Sequence, residues 1–359
     1  MENNQEKTRI QPKIFTLFVV IGLLPMAVGS LILLSGARET YQDVIGGHLS
    51  VLAENAQMDL NSYFRRVSDE LKSLALTPDI RALVYESNLK GLDANLDKNR
   101  AEWNDHNVKG NEVVKSILES DPARFLREYT LDTDFRELLV TDAYGRTVAA
   151  THRNQDYLLS DTRWWRYAFR EGAGGRYIGD MSYDDKTGMY AMELAVPIVD
   201  RTSQRAVGVV RGVLDSEEIL NLVKSLKVGE RGYAMLLRGD SVILVSPDAT
   251  FKDLRRFKYF NAMRAAIENG NRSLQVNEGD DRFFLGFPPF KMKDSLPELD
   301  WYLAVLQPRK EALSLFNNIN TKFAYILLFT VLVVGLMSVL FSWILIKPVI
   351  ETDPHLERL

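Results

Sequence analysis

The chain has 359 residues and a net charge of −4, from 44 basic and 48 acidic side chains. That length holds two or three domains, and the lack of a basic excess argues against nucleic acid as a partner. With no cysteine there is no disulfide, thiolate metal site or cysteine nucleophile, and His48, His106, His152 and His355 are too scattered for a zinc hydrolase.

Residues 14–35 form an uncharged run behind Lys7, Arg9 and Lys13. As a helix it extends about 33 Å, enough to cross the hydrocarbon core. A cleaved signal peptide is the competing reading, but the run is long and no small-x-small cleavage pattern is compelling. Residues 323–346 form a second uncharged run, with Trp343 as an interfacial anchor and Lys347-Pro348 closing it. The positive-inside rule puts residues 1–13 in the cytoplasm, 37–322 outside and 347–359 back in the cytoplasm as a short tail. One large external segment between two spans is the plan of a transmembrane sensor.

Residues 39–76 read as a long helix. Ile45, Leu49, Leu52, Ala56, Leu60, Phe64, Val67, Leu71 and Leu74 recur at threes and fours, a single helical stripe that Pro78 ends. No other external segment is predicted to cover its membrane-near part, so Ile45, Leu49 and Leu52 are expected to face a second subunit. Residues 79–121 are polar and mainly helical. From Phe135 the period changes to two. Strands 137–142 and 146–151 flank Ala143-Tyr144-Gly145.

The stretch 161–200 opens with Trp164-Trp165 and turns at glycines 172–175. Strands 176–182 and 189–199 follow, joined by a turn at 183–188 whose Asp-Asp-Lys-Thr-Gly supplies hairpin chemistry. A further strand, 206–214, leads to a helix over 216–226, capped at Asp215-Ser216 with Glu217 and Glu218 in its first turn. This closes an antiparallel α+β module over about 79–228. A second module, about 229–310, repeats strand–turn–strand at 232–237 and 242–246 and adds strands 283–287 and 301–306. It has no counterpart of the Trp-Trp segment. From Glu311 a helix runs into the second span.

The hairpin beside Trp164 and Trp165 makes one side of an aromatic-walled pocket. Adjacent residues point to different sides, so at most one tryptophan faces the core; packing of both is the competing reading. Arg211 is a charge inside an apolar strand and needs a partner, for which a ligand anion or Asp180 would serve. Asp180 equally suits a structural acceptor, and Asp184 a turn. Arg166 reads as a surface charge. The sequence calls for no cofactor and no metal.

VTDAYGRTVAAT and GYAMLLRGDSVILVSP resemble the first hairpins of the paired PAS-like units in double Cache sensor domains. RYIGDMSYDDKTGMYAMELAVPIVD is similar to the family's pocket hairpin, and WYLAVLQPRKEAL to its exit strand and helix. The resemblance covers about residues 41–315 and both spans. It implies two tandem PAS-like antiparallel-sheet modules on a long N-terminal helix, flanked by two transmembrane helices. It implies a small ligand in the membrane-distal module, a membrane-proximal module without one, and a homodimer. It places Arg163 and Tyr183 with Trp164, Trp165, Asp180, Asp184 and Arg211 as ligand-binding residues. Arg163 and Arg211 near one pocket point to a ligand carboxylate. Two departures stand out. Amino-acid-binding members carry Arg-x-Trp-Tyr where this chain has Thr162-Arg163-Trp164-Trp165, and an aspartate where it has Val213. An α-amino-acid ligand is therefore disfavoured. Members carry a chemotaxis, histidine-kinase or cyclic-dinucleotide output, and residues 347–359 hold none. Truncation and a separate cytoplasmic signalling partner both answer this. An extracytoplasmic enzyme is the rival function, but no GxSxG occurs and 161–200 contains no histidine. A ligand-free interaction subunit is the third reading.

Overall fold

The apolar stripe of the N-terminal half belongs to one helix, α1 (Asn3–Ala75), in the computed structural model. The structure describes residues 3–91, 95–105, 111–153, 156–184, 189–247, 254–278 and 281–341. Ile45, Leu49, Ala56, Leu60, Phe64, Val67, Leu71 and Leu74 are all buried within the chain itself, and Leu52 is half-buried. The expectation that Ile45 and Leu49 face a second subunit is thus overturned, while the half-buried Leu52 does not test it. A β-strand lies against Leu49: a Cβ at Gly286 would fall on it, so only glycine permits the approach. Next to it, the Ser50 hydroxyl donates to the Phe287 carbonyl at 2.8 Å. The outward side of α1 instead carries Val44, Val51 and Met58 at intervals of seven, 60%, 46% and 46% exposed.

The chain divides into two units. One comprises Met1–Gly47, Glu278–Arg282 and Pro308–Leu359, the other His48–Asn277 and Phe283–Gln307. The first unit holds α9 (Arg309–Ala312) and α10 (Ser314–Phe341). Among the described residues no helix is long and apolar enough to cross a membrane. Most side chains of 14–35, residues 342–346 and the tail 347–359 lie outside the described residues. On α10, Tyr325, Ile326, Phe329, Leu332 and Leu336 are exposed.

In the second unit, α2 (Pro78–Leu89), α3 (Leu96–Asn104), α4 (Glu112–Leu118) and α5 (Asp121–Leu131) precede the first sheet. Proline in the first turn starts α2 and α5, and the Asn111 and Ser120 side chains cap α4 and α5. The sheet then follows: β1 (Phe135–Asp142), β2 (Thr147–Ala150), a short helix α6 (Arg163–Phe169), β3 (Tyr177–Ile178), β4 (Ser182–Asp184), β5 (Met189–Val199) and β6 (Ala206–Asp215). Its order is β2-β1-β6-β5-β3, with β4 also on β5. The helix α7 (Glu217–Ser225) comes next, its first N–H capped by Asp215 Oδ1 at 3.0 Å.

The second sheet repeats the plan with β7 (Lys227–Val228), β8 (Gly232–Arg238), β9 (Ile243–Val245), α8 (Phe260–Glu268), β10 (Ser273–Glu278), β11 (Asp281–Gly286) and β12 (Trp301–Pro308). Its order is β10-β11-β12-β8-β7, with β9 on β8. The sequence gives no forewarning of α8 or β10. The face beneath α8 is closed by side chains: Met235, Leu237, Phe283, Leu285, Tyr302 and Ala304 pack with Phe260, Met263 and Ile267. The two sheets share an architecture, and the first carries its own apolar cluster under α6, where Leu139, Ala195 and Val209 pack with Trp164, Trp165 and Ala168.

Candidate functional site

Strand parity puts charge on one face of the first sheet. The register pairs Leu139 and Ala195 with Arg211, and Glu137 and Glu193 with Val213. Alternate residues share a face, so Glu137, Leu139, Glu193, Ala195, Val209 and Arg211 lie together under α6. Arg211 is only 3% exposed. Its Nη2 and Nε donate to Glu193 Oε1 at 2.6 and 3.1 Å, and its Nη1 to Glu137 Oε1 at 3.1 Å. Its guanidinium stands 5.6 Å from the Trp164 ring centre, a cation–π distance. The partner expected for Arg211 was Asp180 or a ligand anion; two glutamates fill that role.

Trp164 and Trp165 are 3% and 8% exposed, so the expected division between core and pocket does not occur. They lie on a helix of 7 residues, where neighbours are about 100° apart and both fit within the buried arc. Trp165 donates its Nε1–H to Thr141 Oγ1 at 3.0 Å and stacks on Phe169 with ring centres 4.5 Å apart. Both tryptophans belong to one apolar cluster, and Trp164 also faces Arg211. Arg163 is exposed, 5.7 Å from the Tyr167 ring centre. Burial pushes the Tyr177 phenol up, Glu193 adds to the rise, and Arg163 opposes it. Tyr183 packs on its register partner Tyr190, ring centres 4.9 Å apart. Asp184 pairs through its backbone with Met189; its side chain and the turn 185–188 lie outside the described residues. Asp180, between β3 and β4, turns its side chain to the second sheet. Its Oδ1 accepts from Trp301 Nε1 at 2.8 Å and its Oδ2 from Arg238 Nη1 at 3.4 Å.

A cavity of about 830 Å³ opens on the charged face, at the end where β1 begins and β6 ends. Glu137, Tyr190, Ala191 and Val213 form part of its wall, and His152 stands at one side. Asp134, Glu137, Asp215, Glu217 and Glu218 bring five carboxylates to it, against Arg136. Arg136 is already paired with Asp215, and Asp134 with Arg66 at 2.7 Å. The lining is therefore electronegative. None of Arg163, Trp164, Trp165, Asp180, Tyr183 and Arg211 is in it; Arg211 reaches it through Glu137, and Tyr183 through Tyr190. Among the described residues no group of histidines and carboxylates is arranged to hold a metal ion.

Glu137, Glu193 and Tyr190 went unread in the sequence. Alternation would have placed Glu137 on the side of Leu139, and Glu193 on that of Ala195. What was not available was the order β1-β6-β5, which alone brings both glutamates to Arg211.

Comparison with known proteins agrees with the architecture. A family model described as Cache domain matches residues 37–316. The methyl-accepting chemotaxis protein PctB of Pseudomonas aeruginosa is 27% identical over 165 residues, 45% of this chain and 25% of that protein. The chain spans about a quarter of the length of the curated relatives it matches. Among solved structures, the sensory domain of the Campylobacter jejuni chemoreceptor Tlp3 superposes with a TM-score of 0.51 at 9% identity, covering 76% of this chain and 97% of that one. The same domain with isoleucine bound gives 0.50 at 10% identity, covering 76% and 96%.

Proposed function

The chain belongs to the Cache domain family, and on that footing we propose that it is the sensing part of a two-pass receptor in a bacterial inner membrane, without enzymatic activity. In this reading residues 37–322 face the periplasm or cell exterior. The first sheet belongs to a membrane-distal module over about 79–228, the second to a proximal module over about 229–310. The uncharged runs 14–35 and 323–346 are the spans, and the exposed apolar side chains of α10 support that role. Binding in the distal module shifts the population between two arrangements, and the helices carry the shift inward. The output, by likeness to methyl-accepting chemotaxis proteins, is chemotactic signalling. The receptor works as a dimer, with Val44, Val51 and Met58 along the seam.

The observation that carries this reading is the cavity on the first sheet, beside the ion-paired cluster of Arg211, Glu137 and Glu193. Glu217 and Glu218, beside the ion-paired Asp134, Glu137 and Asp215, favour a ligand with an ammonium group. Arg211, held by two glutamates, is poorly placed to take the ligand carboxylate that the sequence suggested.

A thermal-shift screen of the full chain in detergent tests the proposal, with amines, amino acids, carboxylates and purines as the classes. A binder at a hundred times its dissociation constant should stabilise the fold by about 2.7 kcal/mol. Amines should lead, and Glu137→Gln should weaken them. If no class raises the melting temperature, the sensor reading fails. If only anions do, the ligand class is wrong.

A further inference from the structure

We propose that Asp180 is a coupling residue, which fastens the hairpin beside the cavity to the strand by which the chain leaves the second sheet. The proposal rests on the sensor reading only for the direction in which the signal runs.

Three observations converge on it. First, the carboxylate is aimed: Met181 N–H donates to Oδ1 at 2.9 Å, fixing the side chain against its own backbone. Second, it grips two strands at once. Trp301 on β12 and Arg238 on β8 are register partners, and both reach Asp180. Arg238 is itself steadied by Asp240, with Nε and Nη2 donating at 2.9 Å each. Third, Trp301 is a buried lever, 1% exposed, with its ring edge-on to Phe64 of α1 at 5.9 Å. A displacement of Asp180 is passed to an indole already wedged against the long helix. Tight packing leaves that indole little room to absorb the movement locally.

The other end of the chain of contacts lies at the cavity. Tyr190 lines it, and Tyr183 of β4 is its register partner, three residues from Asp180. The Ser216 N–H donates to the Tyr190 carbonyl at 3.0 Å, so β5 is also anchored where the cavity ends. A second tie holds the start of β3: Arg176 Nε and Nη2 donate to Glu298 at 3.1 and 3.2 Å, just before β12. The segment 176–180 is therefore pinned at both ends to the approach of one strand.

Spatial continuity alone does not establish coupling, so the test measures it. Hydrogen–deuterium exchange is followed on the full chain in detergent, for Tyr190→Ala, Asp180→Ala, Trp301→Phe and the two double variants with Tyr190→Ala. In the otherwise native chain, Tyr190→Ala should speed exchange of the 302–306 amides by about tenfold, the scale of one charged hydrogen bond. In either the Asp180→Ala or the Trp301→Phe background it should add nothing there. Asp180→Asn, which keeps the acceptor oxygen, should preserve most of the effect. If Asp180→Ala does not fold, the Trp301→Phe pair decides. A Tyr190→Ala effect on 302–306 that persists undiminished in these backgrounds overturns the proposal, and so does one confined to β4 and β5. No ligand enters the experiment, so a failed ligand screen and a failed coupling test are separate results.

Discussion

Trp165 fills the space between α6 and the first sheet, where Thr141 satisfies its N–H and Phe169 stacks on its face. Trp165→Ala should therefore cost about 3–5 kcal/mol, the range for deleting a buried aromatic. Trp165→Phe should recover most of it and leave Thr141 without its donor. Arg163→Ala, at an exposed position, should stay within about 0.5 kcal/mol of wild type. Midpoints in a urea titration will separate these; comparable losses for Arg163→Ala and Trp165→Ala would show that burial does not rank the two sites. The sequence marks both tryptophans as important and misassigns the division between them. Parity arguments hold for a strand, and the local conformation here is helical. Arg211 shows the same limit differently. A lone charge in an apolar strand announces that it needs a partner, but its partners lie 18 and 74 residues away. No local pattern names them.

At the scale of elements, α1 presents two stripes with opposite fates. The threes-and-fours stripe is buried within the chain, leaving the sevens stripe of Val44, Val51 and Met58 outward. Repeats of seven suit a two-stranded helical seam. In this chain without native cysteine, single cysteines at Val51 or Met58 should cross-link between subunits in membranes, and cysteines at Leu49 or Leu60 should not. Equal yields at all four would remove α1 from the dimer seam. The large apolar members of the stripe were legible in sequence, but not the buried Ser50, Ala53, Gln57 and Ser68 beside them. Which of two surfaces the stripe met was not legible either, because Gly286 and Phe287, which close over Leu49 and Ser50, lie more than two hundred positions downstream. Strands were read best where they are apolar runs bounded by turn residues, as in β1, β5, β6 and β12. The helix α8 and the strand β10 were missed although Asn269-Gly270 stops the one and Gly279-Asp280 follows the other; α8 lacks a side-chain cap at its start, and β10 is too polar to read as a strand.

For the molecule as a whole, pH dependence follows from the groups whose ionisation is displaced. The Tyr85 hydroxyl, with the Ser203 N–H behind it, holds the Asp200 carboxyl below the usual carboxylate range. Arg238 does the same for Asp240. A carboxyl depressed in the folded state contributes stability above its unfolded value of about 3.9 and loses it as pH falls through the folded value. Burial, first among the causes, pushes the phenols of Tyr63, Tyr177 and Tyr302 up. A raised phenol contributes stability below about pH 10, lost as pH rises through the folded value. Melting temperature should thus be level between about pH 5 and 9 and fall on either side. A steep fall between pH 7 and 6 would mean that other groups govern the fold's response to acid.

Each strand of the first sheet divides its labour residue by residue. Leu138, Val140, Leu194, Val196, Val210 and Leu214 hold one side, while Glu137, Glu193, Ala191, Arg211 and Val213 stand on the other. Chemistry and foundation are thus interleaved in sequence yet separated in space. Substitution at alternate positions can recast what the cavity recognises while the scaffold beneath is inherited unchanged. A lineage built on this sheet can diversify its repertoire of signals by point changes, without inventing a new fold for each.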